Sequence, residues 1–136
     1  MHFINLRIEG DSIDFDAITS ATGADKVSCL QRGKEYTVRD KKFIAENDIF
    51  QALYEIPDDS GLNAGVQSVV NKLYESCSLI KSLSSENDVT LWLTLYPEEY
   101  QLNFNLTNDS VRKMGEMGID FDLSVMSLQK FYDGLE

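Results

Sequence analysis

The side chains best suited to acid–base, nucleophilic or metal chemistry in this 136-residue chain are one histidine, two cysteines and twenty-three carboxylates. His2 stands at an end of the chain that commonly frays, which argues against general acid–base work or metal ligation centred on it. A Ser-His-Asp or Cys-His nucleophile needs an imidazole on a rigid element, and there is no second His to supply it. Cys29 and Cys77 fit no metal-ligand spacing, and two cysteines are far too few for a disulfide scaffold, so both read as reduced thiols. Asp11, Asp14 and Asp16 gather where a loop meets a helix, yet they lack the glycine and the closing Glu of a calcium loop; capping and solvated charge is the better reading. Gly33 and Gly61 are isolated, with no glycine-rich phosphate loop around either. The inventory therefore predicts no catalytic residue, no metal and no cofactor.

Two features suit binding instead. Asp58 and Asp59 follow Pro57, and Glu98 and Glu99 follow Pro97, giving acidic turns that can steer a basic partner. Between them, Trp92 and Tyr96 alternate with leucines, on a strand face shared with Thr90 and Thr94. With Asn103 and Asn105 alongside, this face offers an aromatic anchor among directional hydrogen-bonding groups. The expected partner-binding set is Asp58, Asp59, Trp92, Tyr96, Glu98, Glu99, Asn103 and Asn105.

The overall charge agrees. Twelve basic against 23 acidic side chains leave −11, which opposes binding to nucleic-acid phosphates or an anionic membrane and favours a basic protein. Residues 1–42 hold seven basic and seven acidic side chains, whereas residues 43–136 hold five and sixteen, so the whole excess lies in the later part. The start of the chain alternates apolar and polar residues in place of a signal-type apolar stretch, and no run approaches the roughly 18 apolar residues that cross a bilayer. A cytoplasmic location is expected, with one domain of ordinary size.

These side chains must be positioned by elements whose periods are readable. Ile4, Leu6 and Ile8 alternate with polar residues, predicting a half-buried strand over 2–9. A short helix follows over 14–22, with Asp14 as its cap and Gly23 at its left-handed stop. A strand is predicted over 27–30, then an exposed hairpin or loop over 36–48, then a strand over 49–56. Leu62, Val66, Val69, Val70, Leu73, Cys77, Ile80 and Leu83 recur at spacings of three and four, predicting one long amphipathic helix with Cys77 on its buried stripe. Val89, Leu91, Leu93 and Leu95 share one strand face, and Leu102, Phe104 and Leu106 share another. Pairing 95 with 102 makes them a hairpin, and sets Trp92 beside Gln101, Asn103 and Asn105. Asn108 is placed to cap a helix over 109–117 that stops at Gly118, and a last strand runs from Ile119 to Val125. The fold class is α+β: two layers, with a largely antiparallel sheet packed against one long amphipathic helix plus short helices.

The chain resembles the bacterial domain of unknown function numbered 4279. The likeness rests on the opening strand ending in Gly10, on Phe15-Asp16-Ala17-Ile18-Thr19 running to Gly23, and on the Arg32-Gly33-Lys34 turn. It also uses the long central helix, the strand after it, and Met117-Gly118-Ile119-Asp120-Phe121-Asp122. The chain departs from that pattern at Thr22, where Leu is usual, after Gly23, where no Pro follows, and at Tyr54, where Trp is usual. The resemblance implies a small bacterial α+β domain and transfers no catalytic residue. Size and acidity are also of the type seen in bacterial immunity proteins, which neutralise a toxin by covering it. The expected function is a non-enzymatic binding protein of immunity or antitoxin kind that meets a basic protein; the alternative is a small-molecule-binding or carboxylate-dependent enzyme domain.

Overall fold

The computed structural model describes residues 1–57, 61–97 and 103–126. Its strands are β1 His2–Gly10, β2 Lys26–Leu30, β3 Glu35–Val38, β4 Lys41–Ile44, β5 Asp48–Ile56, β6 Asp88–Leu95 and β7 Asp120–Val125. Its helices are α1 Phe15–Thr22, α2 Leu62–Tyr74, α3 Cys77–Glu86 and α4 Asn108–Met117. The architecture is α+β. Five strands form one sheet in the order β2-β5-β1-β6-β7, antiparallel except for the β6–β7 pair, while β3 and β4 form a separate two-stranded ribbon.

The period-two pattern decides which way each strand faces. Ile4, Leu6 and Ile8 of β1 stand beside Tyr54, Ala52 and Phe50 of β5, and beside Leu93, Leu91 and Val89 of β6. All nine are buried, and the core closes over them with Ile18 of α1, Val66, Val70 and Leu73 of α2, Ile80 of α3, and Met114 and Met117 of α4. None of the odd-numbered β1 side chains belongs to that core. The helices therefore cover one face of the sheet and leave the other uncovered among the described residues.

Helix ends follow local chemistry. Asp14 accepts from the Ala17 N–H at 3.2 Å to start α1, and Gly23 ends it with φ of 59°, a conformation in which a Cβ would strain. Gly118 closes α4 in the same way.

Three expectations need correction. The predicted long helix is two: at Glu75 and Ser76 the hydrogen bonding tightens, with Ser76 N–H donating to the Leu73 carbonyl three residues back, and α3 starts afresh. The apolar stripe passes straight through that turn, so spacing alone does not reveal it. The hairpin pairing residue 95 with 102 does not form. β6 pairs with β1, whose apolar side chains answer its leucines, and β7 takes its other edge in parallel register. Leu102 lies outside the described residues, while Phe104 and Leu106 pack against the core from a non-strand segment. Finally, the α4 cap is Thr107, whose Oγ1 accepts from Ser110 N–H at 3.1 Å; Asn108 is already in the helix.

Candidate functional site

The uncovered face of the sheet is built from alternate residues of five strands. Register places Lys26, Leu53, Asn5, Trp92 and Asp122 in one row, and Ser28, Gln51, Arg7, Thr90 and Asp120 in the next. These two rows bring together residues from both ends of the chain, which no local pattern shows.

Trp92 is the aromatic centre of this face. It is 39% exposed, and its indole Nε1 donates to Ser124 Oγ at 2.9 Å. Beside it Arg7, Glu9, Asp88, Thr90, Asp120 and Asp122 line an open groove of about 240 Å³. Arg7 is held to Glu9 by an ion pair of 3.2 Å, and Lys26 to Glu55 by a longer one of 3.8 Å. Asp88, Asp120 and Asp122 are exposed, and among the described residues none of them is ion-paired. The face thus carries a surplus of negative charge around one indole. Two polar atoms under it are buried without a hydrogen-bond partner among the described residues, Asn5 Oδ1 and Arg7 Nε. Each such group costs about 1–3 kcal/mol while it stays unmet.

The expected site residues divide. Trp92 is on this face as anticipated, and Tyr96 flanks it, its ring edge-on to Phe3 at 5.8 Å. Asn103 and Asn105 belong to a segment outside the sheet; the Asn105 N–H donates to Asn63 Oδ1 at 3.0 Å, on α2. They do not flank Trp92, because β1 and β7 already occupy both sides of its strand. Asp58, Asp59, Glu98 and Glu99 lie outside the described residues. Asn5, Arg7, Asp88, Asp120 and Asp122 are the members that sequence reasoning missed. The alternation of Asp120 and Asp122 with Ile119 and Phe121 was readable, but their place beside Trp92 depends on a parallel pairing between distant segments.

The remaining chemistry-bearing residues have structural work. His2 is not frayed: it is buried in β1, and its Nδ1 accepts from the Tyr96 N–H at 3.1 Å. Cys29 is exposed on β2; partial desolvation first, and the Asp16 carboxylate second, push its thiol up, the opposite direction from an activated thiolate. Cys77 packs against the core as a small apolar side chain. Asp109, Arg112 and Glu116 form an exposed ion-paired line along α4, with 2.9 Å contacts, and Tyr74 of α2 donates its hydroxyl hydrogen to Glu116. Hydrogen bonds from Lys113 and Arg112 hold the Asp109 carboxyl below the usual range, and those from Tyr74 and Arg112 do the same to Glu116. This network ties α4 to α2. Among the described residues no three His, Cys, Asp or Glu side chains form a group able to hold a metal ion, and no helix is long and apolar enough to cross a membrane.

A family model described as a domain of unknown function (DUF4279) matches residues 1–128. No curated protein matches the chain.

Proposed function

The chain belongs to the DUF4279 family, and from that premise we propose that it is a non-enzymatic, cytoplasmic protein-binding domain whose open sheet face covers a basic partner, as an immunity protein or antitoxin covers its target. The family description names no activity, so the reading rests on the face itself. The observation that supports it most is the exposed Trp92 ringed by Asp88, Asp120 and Asp122, three carboxylates without ion-pair partners among the described residues. A large aromatic in a polar, charged rim has the composition of a binding hot spot. Carboxylates facing solvent lose little by waiting there and gain a partner when Lys or Arg side chains arrive. Asp58, Asp59, Glu98 and Glu99, which lie outside the described residues, add to the same charge in sequence. A solid sheet face with an open groove offers contact area more readily than it encloses a small substrate.

The test is calorimetric titration of the chain with the product of each gene that flanks its own, taking any basic product first. The expected result is tight binding that weakens at least about tenfold between 50 and 300 mM salt. It should weaken about a hundredfold in a variant combining Trp92→Ala with Asp88→Asn, Asp120→Asn and Asp122→Asn. Unchanged affinity in that variant, with circular dichroism showing it folded, overturns the reading. Rescue of growth when the chain is co-expressed with that protein separates inhibition from mere binding.

A further inference from the structure

The densest run of basic side chains in the sequence lies away from the sheet face. Residues 31–44 carry Arg32, Lys34, Arg39, Lys41 and Lys42 against Glu35 and Asp40, while the rest of the chain has seven basic and twenty-one acidic side chains. Every one of these fourteen residues is exposed. The segment is an arm: β3 and β4 pair only with each other, and it is tied to the body near its base, where Gly33 N–H donates to the Ala45 carbonyl and Arg32 N–H to Asp48. Tyr36 and Phe43 stack across the ribbon with centroids 5.6 Å apart, and Ile44 is 69% exposed. A lone two-stranded ribbon is marginal in water, and apolar side chains held out on one gain little there. Its turn is also unfavourable: Arg39 and Asp40 both have positive φ, 49° and 67°, where Asn-Gly is the favoured pair. The arm therefore keeps charge at its tip against the preference of its own backbone.

We propose that this arm docks on the acidic sheet face of a second copy, and that two copies exchange arms reciprocally in a closed twofold dimer. The proposal rests on the reading of that face as a site for basic protein. Charge complementarity selects the occupant. Nucleic acid, anionic lipid and a second copy all meet the body's carboxylate excess, but the second copy alone also offers an indole, Trp92, set among Asp88, Asp120 and Asp122, to match both the aromatic pair of the arm and its Lys34 and Lys41, with Lys42 shared with Glu35 at 3.7 Å. The sizes fit. Five strands about 4.8 Å apart make a face about 19 Å across, and a two-stranded ribbon with its side chains needs about 10 Å of it. Tyr36 and Phe43 then supply aromatic surface for Trp92. Reciprocal exchange uses both complementary surfaces in both copies, where a one-way contact would leave one of each open and propagate.

Sedimentation of the full chain from 2 to 200 μM reads the outcome. The mass is expected to rise from 15.4 kDa to twice that. An arm variant, Lys34→Glu with Lys41→Glu and Lys42→Glu, and a face variant, Asp120→Lys with Asp122→Lys, should each raise the dimer dissociation constant at least tenfold. Mixed in equal amounts they should form a heterodimer, because the mixture restores both contacts while both chains stay net negative. A wild-type chain that is monomeric throughout, a dimer indifferent to both variants, or a mixture that fails to associate overturns the proposal, provided circular dichroism shows folded variants. So does a monomer whose arm captures a single-stranded oligonucleotide. If the chain is monomeric yet the face variant loses the basic protein, the arm proposal falls and the reading of the face stands. If arm exchange occurs while the face variant still binds that protein fully, the basic-partner reading falls.

Discussion

Trp92 Nε1 donates to Ser124 Oγ at 2.9 Å, a bond that runs diagonally from β6 to β7, since the register sets Trp92 opposite Asp122 and Thr94 opposite Ser124. The bond gives the exposed indole one orientation on the open face. Ser124→Ala should leave global stability within about 1 kcal/mol, because the bond is solvent-accessible. It should weaken partner binding about threefold to tenfold by freeing the ring, whereas Trp92→Ala should cost about thirtyfold or more. Trp92 is the sole tryptophan, so its emission reports the site directly. A red shift in Ser124→Ala and a blue shift on binding are expected; an emission spectrum indifferent to Ser124→Ala would show that the bond does not orient the ring.

A second relationship fixes the arm. Asp48 is buried, and its two carboxylate oxygens accept from separate backbone donors, Oδ2 from Ile13 N–H at 3.0 Å and Oδ1 from Arg32 N–H at 2.7 Å. One side chain thereby pins the loop before α1 and the base of the arm. Asp48→Ala removes both acceptors and should destabilise by about 2–4 kcal/mol, read by urea unfolding. Asp48→Asn retains one acceptor and should cost about half as much. Amide exchange at Ile13 and Arg32 should accelerate in both variants ahead of exchange in β1.

Tyr54 predicts an alkaline limit. Its hydroxyl donates to the Thr22 carbonyl at 2.6 Å, and burial pushes its pKa up to about 12 from 10. The folded chain then holds a proton that the unfolded chain releases between those values. Stability should therefore be complete below pH 10 and fall as pH rises towards 12, by roughly 2 kcal/mol at most from this residue once partial solvent access is allowed for. Tyr54→Phe should start about 1 kcal/mol less stable at pH 8, having lost the hydrogen bond. The gap from wild type should close by pH 12. A constant gap across that range would exclude Tyr54 as the cause.

These residues also show where sequence was informative. Period two at Ile4, Leu6 and Ile8, and again at Val89 to Leu95, gives which side of each strand is apolar, because that pattern is local. It does not name the neighbour. The leucines of β6 pair with β1 and not with Phe104 and Leu106, since both choices satisfy the same alternation and only packing of the whole sheet decides. The family resemblance, by contrast, needed only short motifs and holds over residues 1–128. Trp92 was legible as an exposed aromatic; Asn5, Arg7, Asp120 and Asp122 beside it were not, because their proximity spans the chain. Averaging hid the arm. Residues 1–42 are neutral in total, and Glu9, Asp11, Asp14, Asp16 and Asp25 offset the basic run from Arg32 to Lys42 that the fold sets apart.

The turn at the arm tip separates stiffness from charge. Arg39 and Asp40 occupy positive φ without being glycine, at a cost of about 1 kcal/mol for Arg39 and less for Asp40, whose short polar side chain tolerates that region better. Replacing the pair, Arg39→Asn with Asp40→Gly, suits both dihedral angles and removes one charge of each sign, so the net charge of the arm is unchanged. The ribbon should gain about 0.5–1 kcal/mol locally, slowing amide exchange across the Val38–Lys41 and Thr37–Lys42 pairs about twofold to fivefold. The midpoint of global unfolding should scarcely move, because every residue of the arm is exposed and none belongs to the core. If the arm docks preformed, self-association should tighten by a similar factor, since less ordering remains to be done on binding. If slower exchange comes with weaker association, the Arg39 guanidinium itself touches the partner, and Arg39→Lys should then recover part of the loss.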